Sequence, residues 1–482
     1  MMHPHEAAGN GNIFRLLIEG QWVDGEEASV PVLDKYTLSP WATVTTASAA
    51  QVAAMADAAS RAFHEVSQTP YQRGRVLEEA ARLVANREAA FVTTMQAEAG
   101  FTAADARGEV ARCLETLRLS AEEARRLTGD VVPLEGAPGQ AGRLAFTLRV
   151  PLGLITAITP FNSPLNTVAH KVAPALAAGN AVILKPSTST PGTACLLAQA
   201  LLDAGVPAGL LSVLHGGGDV VRSLLDDQRV RFFAFTGSTD VGRKIQAAAG
   251  LRRTQMELGS IAFTVLCADA RLDAALPKAV NAGYRKAGQV CTSIQMLLVH
   301  SSLIEVVEER LAAMVAALKY GDPRDPHTFV GPMISEAEAV RVEGWIADAI
   351  AKGARRLAGG ARHDAVLPPT LLTDIDPSMK VGCCEIFGPV MCLLPFDDIG
   401  EAIARINATP YGLATGIFTN DLAVAFKMAR KLDVGGVHIN ETSSSRVDLM
   451  PYGGSKDSGF GREGPRYAIH EMTEERLISI TA

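Results

Sequence analysis

Residues 231–245 read RFFAFTGSTDVGRKI. The unbroken apolar run at 232 to 235 suits a fully buried strand, and Gly237-Ser238 ends it. Thr239 and Asp240 then open a helix carrying Gly242 in its first turn. A strand that passes through a glycine turn into a helix is half of a βαβ unit. The same turn suits an anion. Gly237 lets the backbone approach a phosphate, Ser238 offers a hydroxyl, and the helix start presents N–H groups at the positive end of its dipole. By itself, a Gly-Ser turn serves equally well to cap a helix.

The pattern repeats outward on both sides. LGLITAIT (152–159), AVILKPS (181–187), a helix to Gly205, LLSVLHGGG (210–218) and another helix precede it. After 260 come MLLVH (296–300), helices near 302–319 and 335–352, GLATGIFT (412–419), a helix to Leu432 and GGVHIN (435–440). Short apolar runs alternating with helices of ten or more residues give parallel sheets, so the reading is an α/β protein with two such domains. The first third reads as amphipathic helices, on the stripes Val52/Met55/Ala59/Phe63, Val76/Ala80/Leu83/Val84 and Val110/Leu114/Leu117/Ala121. GDVVPLEGAPGQAGRLAFTLRVPLG (129–153) breaks that period with turn residues and reads as a protruding hairpin.

A chain of 482 residues, 48% hydrophobic, has ample material for more than one core. Its net charge of −7 and the lack of a Lys/Arg run argue against nucleic acid as a partner. No apolar run is long enough to span a bilayer and the polar opening MMHPHEAAGNGN does not read as a leader, so the expectation is a cytoplasmic protein. Seven scattered cysteines without CxxC spacing suggest neither a disulfide framework nor a metal site.

Several segments could carry chemistry. AGQVCTS (287–293) places Cys291 between a helical stretch and an apolar strand; to attack a carbonyl its thiol must ionise, which needs a base or dipole nearby. MELGS (256–260) sets Glu257 among apolar neighbours, where desolvation would raise its pKa and suit it to general base work. Asn162 in ITPFNSP has an amide that could donate to an oxyanion; Lys185 ends a strand where open α/β sheets bind ligands, and Glu385 lies in CEIFGPV. Each residue, taken singly, also has a bland reading as a buried thiol, a structural carboxyl or a solvated strand end.

Taken together and in order, ITPFNSP, LKPSTSTP, FTGSTDVG, MELGS, GQVCTS, EIFGPV, NATPYGLATGIFT and PYGGSKDSGFGREG resemble the aldehyde dehydrogenase superfamily over essentially the whole chain, with a leaning toward its lactaldehyde and semialdehyde members. The resemblance implies a Rossmann-type cofactor domain (1–127 and 151–258), a catalytic domain (259–465) and a β oligomerisation element (128–150 and 466–482), assembled as a homodimer or homotetramer. It implies oxidation of an aldehyde with NAD or NADP through a thiohemiacetal on Cys291. Glu257 corresponds to the base for thioester hydrolysis, and Asn162 with the Cys291 N–H to the oxyanion hole. Lys171 and Glu463 match a proton relay. Lys185, Ser187 and Thr188, with Thr159, Phe161, Gly237, Ser238 and Gly242, match positions around the dinucleotide, and Glu385 and Phe387 those holding the nicotinamide ribose and ring. No metal is implied.

The chain departs from the family pattern at Ser260, Ile261 and Ala262, where a second glycine and a lysine are usual, and at Val290, where many relatives using anionic substrates carry arginine. Thr188 stands where NAD-preferring relatives commonly carry glutamate, which implies that NADP is accepted. Arg112, Arg446 and Thr292 are the candidates for substrate binding, the arginines for an anionic group at its far end. Two alternatives differ in chemistry: a CoA-acylating dehydrogenase, against which Glu257 argues, and an inactive binding protein on the same fold, against which Cys291, Glu257 and Asn162 argue jointly.

Overall fold

The computed structural model describes residues 12–481. The polar opening stretch thus lies, but for its last residue, outside the described residues, as does the end of the 466–482 segment. Two sheets dominate. The first has eight strands in the order 459–460, 253–257, 230–236, 154–158, 181–185, 211–213, 16–18, 21–23. Its five middle strands run parallel and its edges are antiparallel. The second has seven strands in the order 355–358, 370–373, 390–396, 294–300, 262–266, 414–418, 436–439, parallel except at its first edge. The α/β class with two parallel sheets, read from the alternating runs, is the observed one.

Each sheet has its own core, because strands covered on both faces must be apolar throughout. Ile155, Val182, Phe233 and Met256 belong to one, together with Ile469 and Met472 from near the end of the chain. Val265, Leu297, Leu393 and Ile417 belong to the other. The helices Ala49–Glu65, Pro70–Asn86, Glu88–Ala99 and Ala103–Arg126 bury Val52, Met55, Ala80, Val84, Val110 and Leu117 against the first core.

One expectation fails. Residues 12–46 do not continue the helical third but form five strands, two of which, Leu16–Ile18 and Gln21–Val23, complete the edge of the large sheet. Three of the five are only three residues long, too short to show a period in sequence. The 129–153 segment does fold back on itself: Val131–Val132 pairs with Arg143–Pro151, which pairs along its length with Thr473–Thr481 to give a separate three-stranded sheet. Among the described residues, no helix is long and apolar enough to cross a membrane.

Candidate active site

Four segments reach the site from the C-terminal ends of neighbouring parallel strands in the first sheet, the place where open α/β sheets bind ligands. Asn162 follows 154–158, Lys185 ends 181–185, Gly237 and Ser238 follow 230–236, and Glu257 ends 253–257. Cys291 arrives from the other side, in the turn before the strand Ile294–His300. The backbone leading to it is constrained: Lys286 and Ala287 have φ of 53°, and Gly288 has φ of 67°. A β-carbon at 288 would lie 2.0 Å from the Gly388 carbonyl oxygen, so only glycine lets the chain pass there.

Two cavities meet at this point. One, of about 350 Å³, is lined by Arg112, Arg285, Val290, Thr292, Ser444 and Arg446 among others. The second, of about 470 Å³, is lined by Phe161, Gly237, Ser238, Glu338, Glu385 and Phe387 among others. Asn162, Thr236, Glu257, Leu258 and Cys291 belong to both walls. A thiol, an amide and a carboxyl therefore stand between two spaces, each large enough for part of a ligand.

The second cavity has the features of a dinucleotide site. The helix Thr239–Ala249 begins at its wall, and Ser238 makes no side-chain cap to it, which leaves the hydroxyl and the first N–H groups for an anion. Phe161 and Phe387 meet edge to face at 5.9 Å. Glu385 accepts the Ser260 N–H at 2.9 Å, so the departure at Ser260 still serves the site through its backbone. Burial, partly offset by that hydrogen bond, pushes Glu385 up to about 7. Thr159, Lys185, Ser187, Thr188 and Gly242 are not in this wall. Lys185 is desolvated beside it, its amine pulled down to about 8, and Thr159 leaves a buried hydroxyl without a partner.

Glu257 is buried, and among the described residues neither carboxyl oxygen has a hydrogen-bond partner. Burial, and then the neighbouring Glu463 carboxylate, raise its pKa well above the usual range. Glu463 behaves oppositely. Burial would raise it too, but Lys171 at 3.0 Å and Arg446 at 2.8 Å outweigh that and hold it below the usual range. The thiol of Cys291 is pushed up to about 11 by burial, opposed by a 2.9 Å hydrogen bond with the Tyr452 hydroxyl. Tyr452 was not singled out from sequence, although PYGG contains it. It lies 161 positions from the cysteine and nothing local links the two.

The arginines do not stand as expected. Arg112 reaches the cavity but is bonded to Asp448 at 2.7 Å, and Arg446 is bonded to Glu463 and stacks 3.7 Å over the ring of Tyr452. Both guanidiniums are thus engaged by the protein's own carboxylates, with Arg446 Nε left without a partner among the described residues. The carboxylates that engage them are remote in sequence from Arg112 or hidden in the fold, which is why the sequence suggests them as free. Arg285 is the unexpected one. It lines the cavity, and among the described residues its guanidinium bonds only the Ser444 hydroxyl, at 2.7 Å. Thr292 bonds the same hydroxyl at 3.1 Å.

Comparison with known proteins agrees with this architecture. The model of the aldehyde dehydrogenase family matches residues 22–478. A 3-sulfolactaldehyde dehydrogenase of Priestia aryabhattai is 44% identical over 470 residues, 96% of this chain and 97% of the relative. Aldehyde dehydrogenase 21 from Physcomitrella patens, solved in complex with the reaction product succinate, superposes with a TM-score of 0.95 at 36% identity, covering 98% of this chain and 99% of that one. An NADP-dependent glyceraldehyde-3-phosphate dehydrogenase from Bacillus halodurans, complexed with NADP, gives 0.94 at 31% identity, covering 97% and 99%.

Proposed function

The chain belongs to the aldehyde dehydrogenase family and oxidises an aldehyde with NAD or NADP; from that premise we propose that its substrate is a short aldehyde with an anionic far end, held by Arg285 and Ser444. One observation carries this reading. Five cations line the 350 Å³ cavity, and four are already paired: Arg112 with Asp448, Lys278 with Glu441, Lys286 with Glu109 and Arg446 with Glu463. Arg285 alone among them has no carboxylate within ion-pair distance among the described residues. A half-buried guanidinium without a bonded anion is costly, even with the Asp105 and Glu109 charges acting on it from farther off, and a planar fork beside hydroxyls matches a carboxylate, sulfonate or phosphate. The relatives compared act on or hold a sulfonate, a carboxylate and a phosphate by their names.

In the proposed mechanism the Cys291 thiolate attacks the carbonyl carbon, and the developing oxyanion is held by the Asn162 amide and the Cys291 N–H. A nicotinamide held in the second cavity would supply a hydride acceptor there. Gly237, Ser238 and the helix start would take the diphosphate, with Gly242 letting that helix pack against Leu258. Lys185, Ser187 and Thr188 would take the adenosine ribose, and Glu385 and Phe387 the nicotinamide end, flanked by Thr159 and Phe161. Glu257, its basicity raised by burial, takes a proton from the water that attacks the thioester. The Lys171–Glu463 pair behind it stands as the route by which that proton leaves.

The three-stranded sheet supports a homo-oligomer. Its edge strand Thr473–Thr481 has one side unpaired, and Leu144, Leu148 and Ile480 are exposed on one face. Light scattering is expected to give a dimer or tetramer; a monomer would contradict this.

The substrate reading is tested by kcat/KM for a four-carbon semialdehyde acid and a neutral aldehyde of equal length. A charged contact of about 2 kcal/mol predicts a preference of roughly 30-fold for the acid. Equal values would contradict it.

A further inference from the structure

The sulfur of Cys291 faces a phenol. Tyr452 Oη lies 2.9 Å from Sγ, and this is the sulfur's hydrogen bond. The ring is fixed from three sides. Its backbone N–H and carbonyl exchange bonds with those of Glu463, at 3.1 and 2.7 Å. The Arg446 guanidinium covers its face at 3.7 Å, and Glu463, itself anchored by Lys171, holds that guanidinium. Five side chains, of which Lys171 and Glu463 are fully buried, thus form one chain of contacts ending at the reacting sulfur. Arg446, already paired with Glu463, has a place in it.

A neutral thiol is a poor acceptor, whereas a thiolate accepts strongly, so an O–H aimed at sulfur favours the ionised form. A cation over the ring face withdraws electron density from the phenol and strengthens the donor. We propose that Tyr452 is a catalytic residue whose hydroxyl donates to the Cys291 thiolate, with Arg446 and Glu463 as the residues that position it. The inference rests on Cys291 being the nucleophile. Ionisation breaks the S–H bond and passes its proton to solvent; the O–H···S bond strengthens, and the freed electron pair then forms the S–C bond.

The other groups around the sulfur are accounted for. Glu257 at the end of its strand and Glu385 on the cofactor side disfavour the thiolate, and Arg446 favours it. Arg285 stands on the loop that carries Cys291 itself. Around the phenol, Glu257 opposes ionisation and Arg446 promotes it. Burial keeps the phenol protonated well above its ordinary range, so it remains a donor throughout the working pH.

The test uses cofactor-free full-length protein and needs no turnover. Iodoacetamide alkylation of Cys291, read by peptide mass, is followed against pH in wild type and in Tyr452→Phe, which keeps the ring and the Arg446 stack. The midpoint should rise by about one unit, with about tenfold slower alkylation below it. In a second arm, kcat/KM of Tyr452→Phe should fall at neutral pH and approach wild type at high pH. An unchanged midpoint, or a loss by the same factor at every pH, would overturn the proposal. Because alkylation is independent of the aldehyde, a wrong substrate assignment leaves the first arm unaffected.

Discussion

Arg446 is bound to Glu463 at 2.8 Å in the wall of the cavity that faces Cys291. Its guanidinium serves the protein's own carboxylate and the Tyr452 ring. Arg446→Leu leaves Glu463 buried beside Lys171 with half of its compensation removed, and breaking such a pair costs about 3 kcal/mol. The melting temperature should fall, and kcat/KM should drop by similar factors for acidic and neutral aldehydes. A loss confined to acidic substrates would return Arg446 to substrate recognition.

Glu257 offers a kinetic signature. In Glu257→Gln, acylation should still release reduced cofactor once per site, after which the thioester persists and steady-state turnover falls about 100-fold or more. Stopped-flow absorbance separates the phases. Turnover at the wild-type rate would exclude Glu257 as the hydrolytic base. A CoA-dependent rate in the wild type would move the chemistry to acyl transfer.

The loop carrying Asn162 depends on a buried pair. Glu109 accepts from Lys286 at 2.6 Å, from Ser163 and from the Asn166 N–H, while Lys286 also reaches the Asn162 carbonyl at 3.3 Å. Burial would raise Glu109, but Lys286 and Arg112 outweigh it and bring it down to about 2 from 4.5. Between those values the unfolded chain binds a proton that the folded chain does not, so the contribution is complete above about 4.5 and is lost as pH falls toward 2. Glu109→Gln should destabilise by about 3 kcal/mol at neutral pH, because Lys286 is left buried and unpaired. Urea midpoints of variant and wild type should converge as pH falls toward 3. A constant gap would show that the charge of Glu109 is not the cause.

These residues mark how far sequence carries. Cys291, Glu257 and Asn162 were legible because each lies in a short segment whose order along the chain is characteristic. The rule that parallel strands present ligands at their C-terminal ends puts Asn162 and Glu257 side by side, but Cys291 precedes its strand in the other sheet, and nothing in the spacing brings it to them. Tyr452 and Arg285 were not legible, since what distinguishes them is a neighbour more than 150 positions away. Arg112 was misjudged for the same reason in reverse: the helix face was read correctly as different from the packing stripe, but Asp448, 336 positions on, occupies the guanidinium. The strands at 12–46 escaped because three-residue runs carry no period.

Thr188 follows the strand Ala181–Lys185 in a turn, half-buried and uncharged. With no carboxylate there to repel a 2′-phosphate, NADP should be used at a useful rate alongside NAD. Thr188→Glu should lower kcat/KM for NADP about tenfold or more and leave NAD nearly unchanged. Strict NAD dependence in the wild type would count against this role.

In the proposed reading Arg285, the cavity cation with no ion-pair partner among the described residues, selects an anionic aldehyde. The most direct measurement is kcat/KM of Arg285→Leu on a semialdehyde acid and on its neutral isostere, each relative to wild type. A charge-assisted contact of about 2 to 3 kcal/mol predicts a loss of roughly 30- to 150-fold on the acid and little change on the neutral compound. Equal losses on both would show that Arg285 supports the Cys291 loop and does not recognise substrate.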